Sequence, residues 1–501
     1  MDPIREEAIY DERHVKVVCI GAGASGICLA YKLHRSLRHF PLTVYEKNPG
    51  LGGTWYENRY PACACDVPSH NYVYSFELKA DFTSVYAGSD EIQKYFKGFV
   101  LKHNHLKYFR LSHLVKSTLW HEGNGQWEVE IEDLVTGEVV HDRCHILIHA
   151  CGYVNKPSWP KIPGLRNYQG TYIYSADCDT KELDKFAREL ETVLKLRQDN
   201  ERTMNSIFNE RALILLESKM KGILENKKPE EHLIPEFEVG CKRVIPSGFK
   251  YLKSLEQQNI IAVHSGVESF TSSGVVSANG RAYTRDMIIC ATEGRNLQTE
   301  WAEFIIGYMG AGAPEFPNML TFLEPYSPVS NGPTLITIEA QADYVCTFLD
   351  RYQTQPSIHS IASKKPAYTD FVARAAGFMG KAVWSANCRN SYNNHTVRGR
   401  IPTTWPGSTL HYLEALREPR LEDWGFKYGT NRFSWLSDGI SQTEWDPTAD
   451  LGYYIRQDDN SVRGSRWERN AAANKSGAMP PRELHRQAKL AIEAVSENIK
   501  G

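Results

Sequence analysis

The sequence lacks the features that mark membrane-spanning, secreted and nucleic-acid-binding proteins. No apolar run among its 501 residues approaches the ~18 residues that a helix needs to cross a bilayer, and residues 1–14 are too polar for a signal peptide. The 58 basic and 60 acidic residues leave a net charge of −2, which gives no reason to expect a nucleic acid or an anionic membrane as partner. The eleven cysteines show no disulfide framework, so we expect reduced thiols and a cytoplasmic protein.

A spacing typical of metal ligands is also missing. Cys63 and Cys65 are separated by a single residue, which is closer than the usual zinc or redox motifs, and the histidines occur singly. We therefore predict no metal site.

Glycine is absent from one long stretch of an otherwise glycine-containing chain. The 51 residues 171–221 contain none, and their apolar side chains recur largely at intervals of three or four residues. This spacing predicts a helical segment with one buried face.

The first part of the chain has the pattern of an α/β fold built on a parallel sheet. Residues 15–20 and 42–48 read as buried strands, with a helix over 24–37 between them. Alternating apolar residues at 127–133 and an apolar run at 145–152 predict a hairpin strand and a strand that returns to the sheet.

Composition divides the chain into four predicted segments. Residues 1–170 form the first segment of the domain that contains this sheet, and residues 171–240 form the helical insertion. Residues 241–454 supply return strands and a helical, loop-rich region, and residues 455–501 form a polar tail with one helix. Within 241–454, Asn279-Gly280 predicts a tight hairpin turn.

The stretch from Gly21 to Gly26 carries a dinucleotide fingerprint. Gly21 permits a tight turn, Gly23 lets the backbone approach a pyrophosphate, and Gly26 lets the helix pack closely on the strand. The helix N-terminus then points free N–H groups at the phosphates. Glu46 follows the second strand, where a carboxylate accepts hydrogen bonds from a ribose.

The residues after Glu46 identify the dinucleotide by resemblance. The stretch "NPGLGGTWYENRYPACACDVPSH" (48–70) resembles the flavin-containing Baeyer–Villiger monooxygenases, particularly those of fungal secondary metabolism. Similar segments continue in the family's order to about residue 454: "HACGYVNKPSWPKIPG", "LIPEFEVGCKRVIP", "IICATEG", "FPNMLTFLEPYSP", "QADYV" and "WPGSTLHYLEAL".

The resemblance implies an FAD site and assigns roles by position. Gly21, Gly23 and Gly26 would bind the pyrophosphate and Glu46 the ribose. The remaining implied FAD contacts are Gly53, Thr54, Trp55, Asp66 and Tyr72 near the flavin and Val115 near the adenine.

The second half of the family pattern, which binds NADPH, is not recognisable. Tyr174 and Cys178 stand where the family has histidine and tryptophan, and no second glycine fingerprint follows. The nearest substitute, Gly310-Ala-Gly312, is followed by prolines that prevent a helix from starting there. We therefore expect the NADPH domain to be truncated or missing, with NADPH doubtful as a cofactor.

Arg243 is the candidate catalytic residue. By resemblance it would stabilise negative charge at the flavin, because arginine stays charged in a water-poor site, and Asp66 would orient it. A structural ion pair is the alternative interpretation. Cys151 and Glu324 depart from the family motifs near the flavin, which puts an inherited pocket shape in doubt.

The fingerprint and the resemblance together predict an FAD-dependent enzyme, similar to Baeyer–Villiger monooxygenases, that acts on a lipophilic carbonyl-containing secondary metabolite by oxygenation or by flavin-dependent oxidation. The alternative is a redox-neutral isomerase, cyclase or lyase that retains FAD as a structural or acid/base element. The sequence leaves open an external reductant and a homodimer as partners.

Overall fold

A computed structural model describes most of the first two thirds of the chain and parts of the remainder. The described residues are 8–60, 63–152, 159–174, 257, 259–263, 265–290, 307–329, 333–385, 404–445 and 451–452. The strands among them are β1 (Val17–Ile20), β2 (Leu42–Tyr45), β3 (Phe109–Arg110), β4 (His113–His121), β5 (Gln126–Asp133), β6 (Val139–Cys144), β7 (Ile146–His149), β8 (Thr171–Tyr174), β9 (Val267–Thr271), β10 (Gly274–Ser277), β11 (Ala282–Thr284), β12 (Met287–Cys290), β13 (Met319–Thr321), β14 (Ile358–Ser363) and β15 (Trp424–Tyr428). The α-helices are α1 (Ala24–Ser36), α2 (Thr54–Glu57), α3 (Ser89–Lys102), α4 (Thr334–Thr354), α5 (Lys365–Met379), α6 (Thr409–Arg417) and α7 (Gln442–Trp445).

The chain divides into two compact units. The first comprises residues 1–5 and 10–437, and the second comprises residues 6–9 and 438–501. Within the second unit, the described residues include α7, and the Ile9 N–H donates to the Ile440 carbonyl at 2.9 Å. The predicted segment boundaries at residues 240 and 454 lie outside the described residues.

A five-stranded parallel sheet in the order β13-β7-β1-β2-β3 lies at the centre of the first unit. Strands buried on both faces read as continuous apolar runs, which is why the sequence of β1 has no polar alternation. Its Val17 and Cys19 pack in the large core cluster with residues of α1 and α4, while Val18 faces a second cluster. The predicted α/β class with a parallel sheet is confirmed, as are the predicted strands β1, β2 and β7 and the helix α1.

The second cluster joins the parallel sheet to a separate three-stranded antiparallel sheet, β4-β5-β6. Trp127, Val129 and Ile131 alternate along β5 and pack against Val18 and Leu147 of the parallel sheet. The predicted strand at 127–133 is therefore confirmed, with its apolar alternate positions on the buried face.

The glycine-free run begins as a strand rather than a helix, which corrects the prediction at its start. Residues Thr171–Tyr174 form β8, which pairs in parallel with β12. Threonine, tyrosine and isoleucine favour pleated backbone, so local propensity outweighed the spacing of apolar residues here. Residues 175–221 lie outside the described residues. The predicted hairpin turn is confirmed, because Gly280 has φ +81° between β10 and β11.

The later part of the first unit combines helices with a strand pair that the sequence did not suggest. Helices α4 and α5 agree with the expected helical region. However, β14 pairs in antiparallel with β15, and β15 and α6 both lie within residues 383–438, which we expected to be rich in loops. Among the described residues, no helix combines the length and hydropathy that a membrane crossing requires.

Gln341 of α4 ties three segments of this unit together. Its side chain is fully buried, and its Nε2 lies 2.8 Å from both the Gly310 carbonyl and the Tyr412 hydroxyl. Its Oε1 accepts a bond from the Leu323 N–H at 3.1 Å. The amide thereby provides hydrogen-bond partners for backbone groups on either side of β13, where the chain has no regular structure.

We expect Gln341→Leu to lower the free energy of unfolding by about 3 kcal/mol, because it leaves the buried Leu323 N–H and Gly310 carbonyl without this partner. Urea unfolding followed by circular dichroism measures the change. Thr347→Ala, at an exposed position of the same helix, is the control and should change stability by no more than about 0.5 kcal/mol. A Gln341→Leu protein as stable as the control would contradict this account.

Candidate dinucleotide site

The glycine loop 21–26 connects β1 to α1 at the carboxyl edge of the parallel sheet. Gly21 has φ +108°, and a Cβ there would lie 2.5 Å from the Ala150 carbonyl oxygen. A Cβ at Gly26 would lie 2.1 Å from the Gly21 carbonyl oxygen. Both glycines are therefore required by close backbone packing inside the protein, as the fingerprint predicts for a tight turn and a close helix.

Gly23 differs from these two glycines. It is the N-cap of α1 with φ −78°, a value that any residue adopts, and a Cβ there would have only Gly53 within 4 Å, at 3.6 Å from its Cα. The described residues thus give no steric reason for glycine at this position. A ligand that comes close to the backbone at Gly23 would give such a reason. The uncapped N–H groups of a helix N-terminus favour an anionic ligand there.

The second glycine pair packs directly on the first loop. The Gly52 N–H donates to the Ala22 carbonyl at 3.0 Å, and Gly52 and Gly53 have φ of +122° and +53°. A Cβ at Gly53 would lie 2.9 Å from the Gly23 Cα. The resemblance implies a flavin contact at Gly53, and the structure shows that glycine is already required there by the contact between the two loops.

Glu46 lies directly after β2 and is 5% exposed. Its Oε2 accepts from the Ala22 N–H at 2.7 Å, and its Oε1 accepts from the Asn48 N–H at 2.9 Å and the Asn48 side-chain amide at 2.8 Å. Burial raises the pKa of Glu46, and the bonds from Ala22 and Asn48 oppose that rise. Since a carboxylate has about four lone-pair positions and three are used by these bonds, the group retains capacity for about one further donor, such as a ribose hydroxyl.

The remaining predicted cofactor residues fall into different surroundings. Trp55 is buried, and its Nε1 donates to the Tyr72 hydroxyl at 3.0 Å, with the two rings edge to face at 5.3 Å. Thr54 and Asp66 are exposed. Val115 packs against the second core cluster. The structure brings Trp55 and Tyr72 into contact, and the role of all five in binding FAD stays a prediction.

Arg243 lies outside the described residues, so its predicted pairing with Asp66 has no geometry here. Within the part of the chain that the structure describes, no group of three or more His, Cys, Asp or Glu side chains is arranged to hold a metal ion.

A buried polar cluster that we did not predict lies at the same edge of the sheet. His149 ends β7, and its Nδ1 lies 2.9 Å from Oε1 of Glu324, three residues after β13. Cys151 bonds the same imidazole. Cys151 and Glu324 were recognised only as departures from family motifs. The signal that could have joined them is that each follows one of two neighbouring parallel strands, β7 and β13, whose carboxyl ends meet.

Comparison with known proteins supports the interpretation of this edge as a nucleotide site. A family described as an NAD(P)-binding Rossmann-like domain matches residues 19–83, which contain both glycine loops and Glu46. The chain is 27% identical to the FAD-binding monooxygenase stcW of Emericella nidulans, with 87% of each protein covered. It is 25% identical to a Baeyer-Villiger monooxygenase of Pseudomonas aeruginosa, with 81% of this chain and 90% of that protein covered.

The fold is similar to that of an oxidized steroid monooxygenase solved with bound NADP. The TM-score is 0.66 at 19% identity, and the match covers 83% of this chain and 100% of that one. The resemblance to Baeyer–Villiger monooxygenases inferred from the motifs is confirmed. The expected loss of an NADPH unit finds no support in this match, because it spans the full length of a protein that binds NADP.

Gly23→Ala should lower the affinity for FAD without lowering the stability of the protein. We expect the free energy of unfolding to change by no more than about 0.5 kcal/mol, since the new Cβ meets only an ordinary contact, while FAD affinity falls by on the order of tenfold or more. Fluorescence titration with FAD measures the affinity. Gly98→Ala in α3, where nothing lies within 4 Å of the new Cβ, is the control and should leave affinity unchanged. Equal affinities would show that no ligand approaches Gly23.

Glu46→Gln should weaken FAD binding by roughly 10- to 100-fold, because ribose hydroxyls lose a charged acceptor worth about 1.5–3 kcal/mol. If Glu46 accepts from the ribose, a proton would compete with FAD for this carboxylate, whose pKa is raised by burial. Affinity should therefore fall as the pH is lowered through the titration of Glu46, and Glu46→Gln should flatten this dependence. Exposed Glu138→Gln is the control. An unchanged pH dependence in Glu46→Gln would exclude this role.

Proposed function

We propose that this chain, a relative of the FAD-binding and Baeyer–Villiger monooxygenases, is an FAD-dependent oxidoreductase that acts on a lipophilic carbonyl-containing secondary metabolite. The observation that carries the proposal is the space beside Gly23, where a Cβ would have only Gly53 within 4 Å. The next residue back along the chain, Ala22, donates its N–H to the buried carboxylate of Glu46. That arrangement fits the pyrophosphate and ribose of a dinucleotide.

The described residues suggest how each part of FAD would be held. Gly23 and the N-terminus of α1 would receive the pyrophosphate, and Glu46 would accept hydrogen bonds from the adenosine ribose. Trp55 and Tyr72 would border the flavin end as one hydrogen-bonded aromatic pair. When bound, FAD would supply two-electron redox chemistry with O2.

Arg243 and Asp66 are the residues that we propose for charge stabilisation. A guanidinium keeps its charge in any surroundings, so Arg243 would stabilise negative charge at the flavin while Asp66 orients it. This assignment rests on the motif "GCKRVIP", in which Arg243 occupies the family position.

The similarity to fungal relatives supports the proposed substrate class, and the free thiols support the proposed compartment. The chain resembles fungal relatives such as stcW of Emericella nidulans, which supports a secondary metabolite as substrate. The eight described cysteines are free thiols, which fits a reducing compartment such as the cytoplasm.

We further propose that the chain lacks a complete NADPH site of its own and receives electrons from an external reductant. The match to stcW runs over 525 aligned positions, whereas 87% of this 501-residue chain is about 436 residues. The difference leaves roughly 90 aligned positions without a residue in this chain. The glycine-free stretch 171–221 falls where the family carries its second fingerprint.

Mixing the FAD-loaded protein with NADPH in the absence of oxygen tests both parts of this proposal. We expect the yellow flavin absorption to persist with NADPH and to bleach with dithionite, which shows that the flavin itself is reducible. Rapid bleaching that saturates with NADPH would contradict the missing site and leave an ordinary monooxygenase. A protein that takes up no FAD would contradict the flavoenzyme proposal itself.

A further inference from the structure

Three side chains of different chemistry meet beneath the first glycine loop. His149 and Glu324 are both buried, and their Nδ1 and Oε1 atoms are 2.9 Å apart. Cys151 lies two residues beyond His149 in the chain, and its side chain interacts with the imidazole. The imidazole therefore lies between a thiol and a carboxylate.

The electrostatics of this cluster favour a charged imidazole. Burial opposes the charge, but Cys151 and then Glu324 raise the pKa of His149 well above its usual range. A cationic imidazole beside a thiol is a setting in which proteins use cysteine as a nucleophile, and a carboxylate next to the imidazole holds it in place. This order of carboxylate, imidazole and thiol is the arrangement that activates nucleophilic cysteines in proteins.

Among the described cysteines, Cys151 is the one whose side chain solvent can reach. It is partly exposed, whereas the other seven described cysteines are buried. Its sulfur lies 3.7 Å from the carbonyl oxygen of Ile20, the last residue of β1. A Cβ at Gly21 would lie 3.3 Å from the Cys151 Cα, so an atom added to the sulfur adjoins the first glycine of the nucleotide loop.

We propose that Cys151, His149 and Glu324 form a nucleophilic thiol site at which hydrogen peroxide oxidises Cys151 to a sulfenic acid, and that this modification weakens nucleotide binding at the adjoining loop. The peroxide would come from reduction of O2 by a reduced flavin, so its source rests on the proposed function. The oxidation itself requires only the three side chains and peroxide.

The reaction balances without another reagent. The Cys151 thiol gives its proton to solvent as the sulfur attacks one peroxide oxygen, so that the S–O bond forms and the O–O bond breaks. The departing hydroxide takes the proton of the His149 imidazolium and leaves as water. Sulfur loses two electrons, and peroxide gains them. The imidazole then recovers its proton from solvent.

Trapping of sulfenic acid in the FAD-free protein tests the site. The protein is treated with hydrogen peroxide in the presence of dimedone, and the labelled peptides are quantified by mass spectrometry. We expect Cys151 to be labelled on the order of tenfold faster than buried Cys144. Glu324→Gln and His149→Asn should each slow this labelling by a similar factor, while exposed His141→Asn leaves it unchanged.

Thermal unfolding of each variant shows whether it is folded. If His149→Asn does not fold, the rates of Cys151 and Cys144 in the unmutated protein and in Glu324→Gln still decide the question. Labelling of Cys151 no faster than that of Cys144, or labelling indifferent to Glu324→Gln, would overturn the nucleophilic site.

FAD titration before and after peroxide treatment tests the link to the nucleotide loop. We expect oxidation to weaken FAD binding several-fold in the unmutated protein, and the affinity of Cys151→Ser to be insensitive to peroxide. Equal affinity before and after oxidation of Cys151 would overturn the link. If the untreated protein binds no FAD, the proposed function fails, and the labelling rates still decide whether the thiol site exists.

Discussion

Two loops from separate parts of the chain meet backbone to backbone, and the geometry of the candidate site depends on that contact. The backbone of Ala22 is hydrogen-bonded on both sides. Its N–H donates to Glu46 at 2.7 Å, and its carbonyl accepts from the Gly52 N–H at 3.0 Å. Gly53 then comes so close to Gly23 that a Cβ on it would lie 2.9 Å from the Gly23 Cα. Glycine is required there by protein packing, and this packing leaves the helix N-terminus and its N–H groups accessible at Gly23.

The parallel sheet explains why so many polar groups gather at one edge. Carboxyl ends of parallel strands lie side by side, so residues that follow β1, β2, β7 and β13 become neighbours although they are far apart in the chain. Glu46 satisfies its buried carboxylate with backbone N–H groups, whereas Glu324 satisfies its own with His149. Both solutions obey the requirement that a buried charge be paired or hydrogen-bonded.

Local patterns were enough to predict the elements around the glycine loop. The apolar runs of β1 and β7, the helix α1 and the acidic end of β2 are each encoded within a few residues, and the structure places them as expected. Contacts between distant segments were not predictable in this way. The pairing of β14 with β15 joins residues more than 60 positions apart, and His149 meets Glu324 across 175 positions. The prediction of a helix at Thr171 was wrong for another reason. A strand of four residues is too short to be recognised from the spacing of apolar residues.

The central claim is that the edge formed by Gly23, Gly53 and Glu46 binds FAD rather than a nicotinamide dinucleotide. Equilibrium dialysis of the purified full-length protein against FAD, repeated with excess NADPH, measures this directly. The account predicts saturation at one FAD per chain, with NADPH unable to displace it. No bound FAD, or displacement of FAD by NADPH, would contradict it.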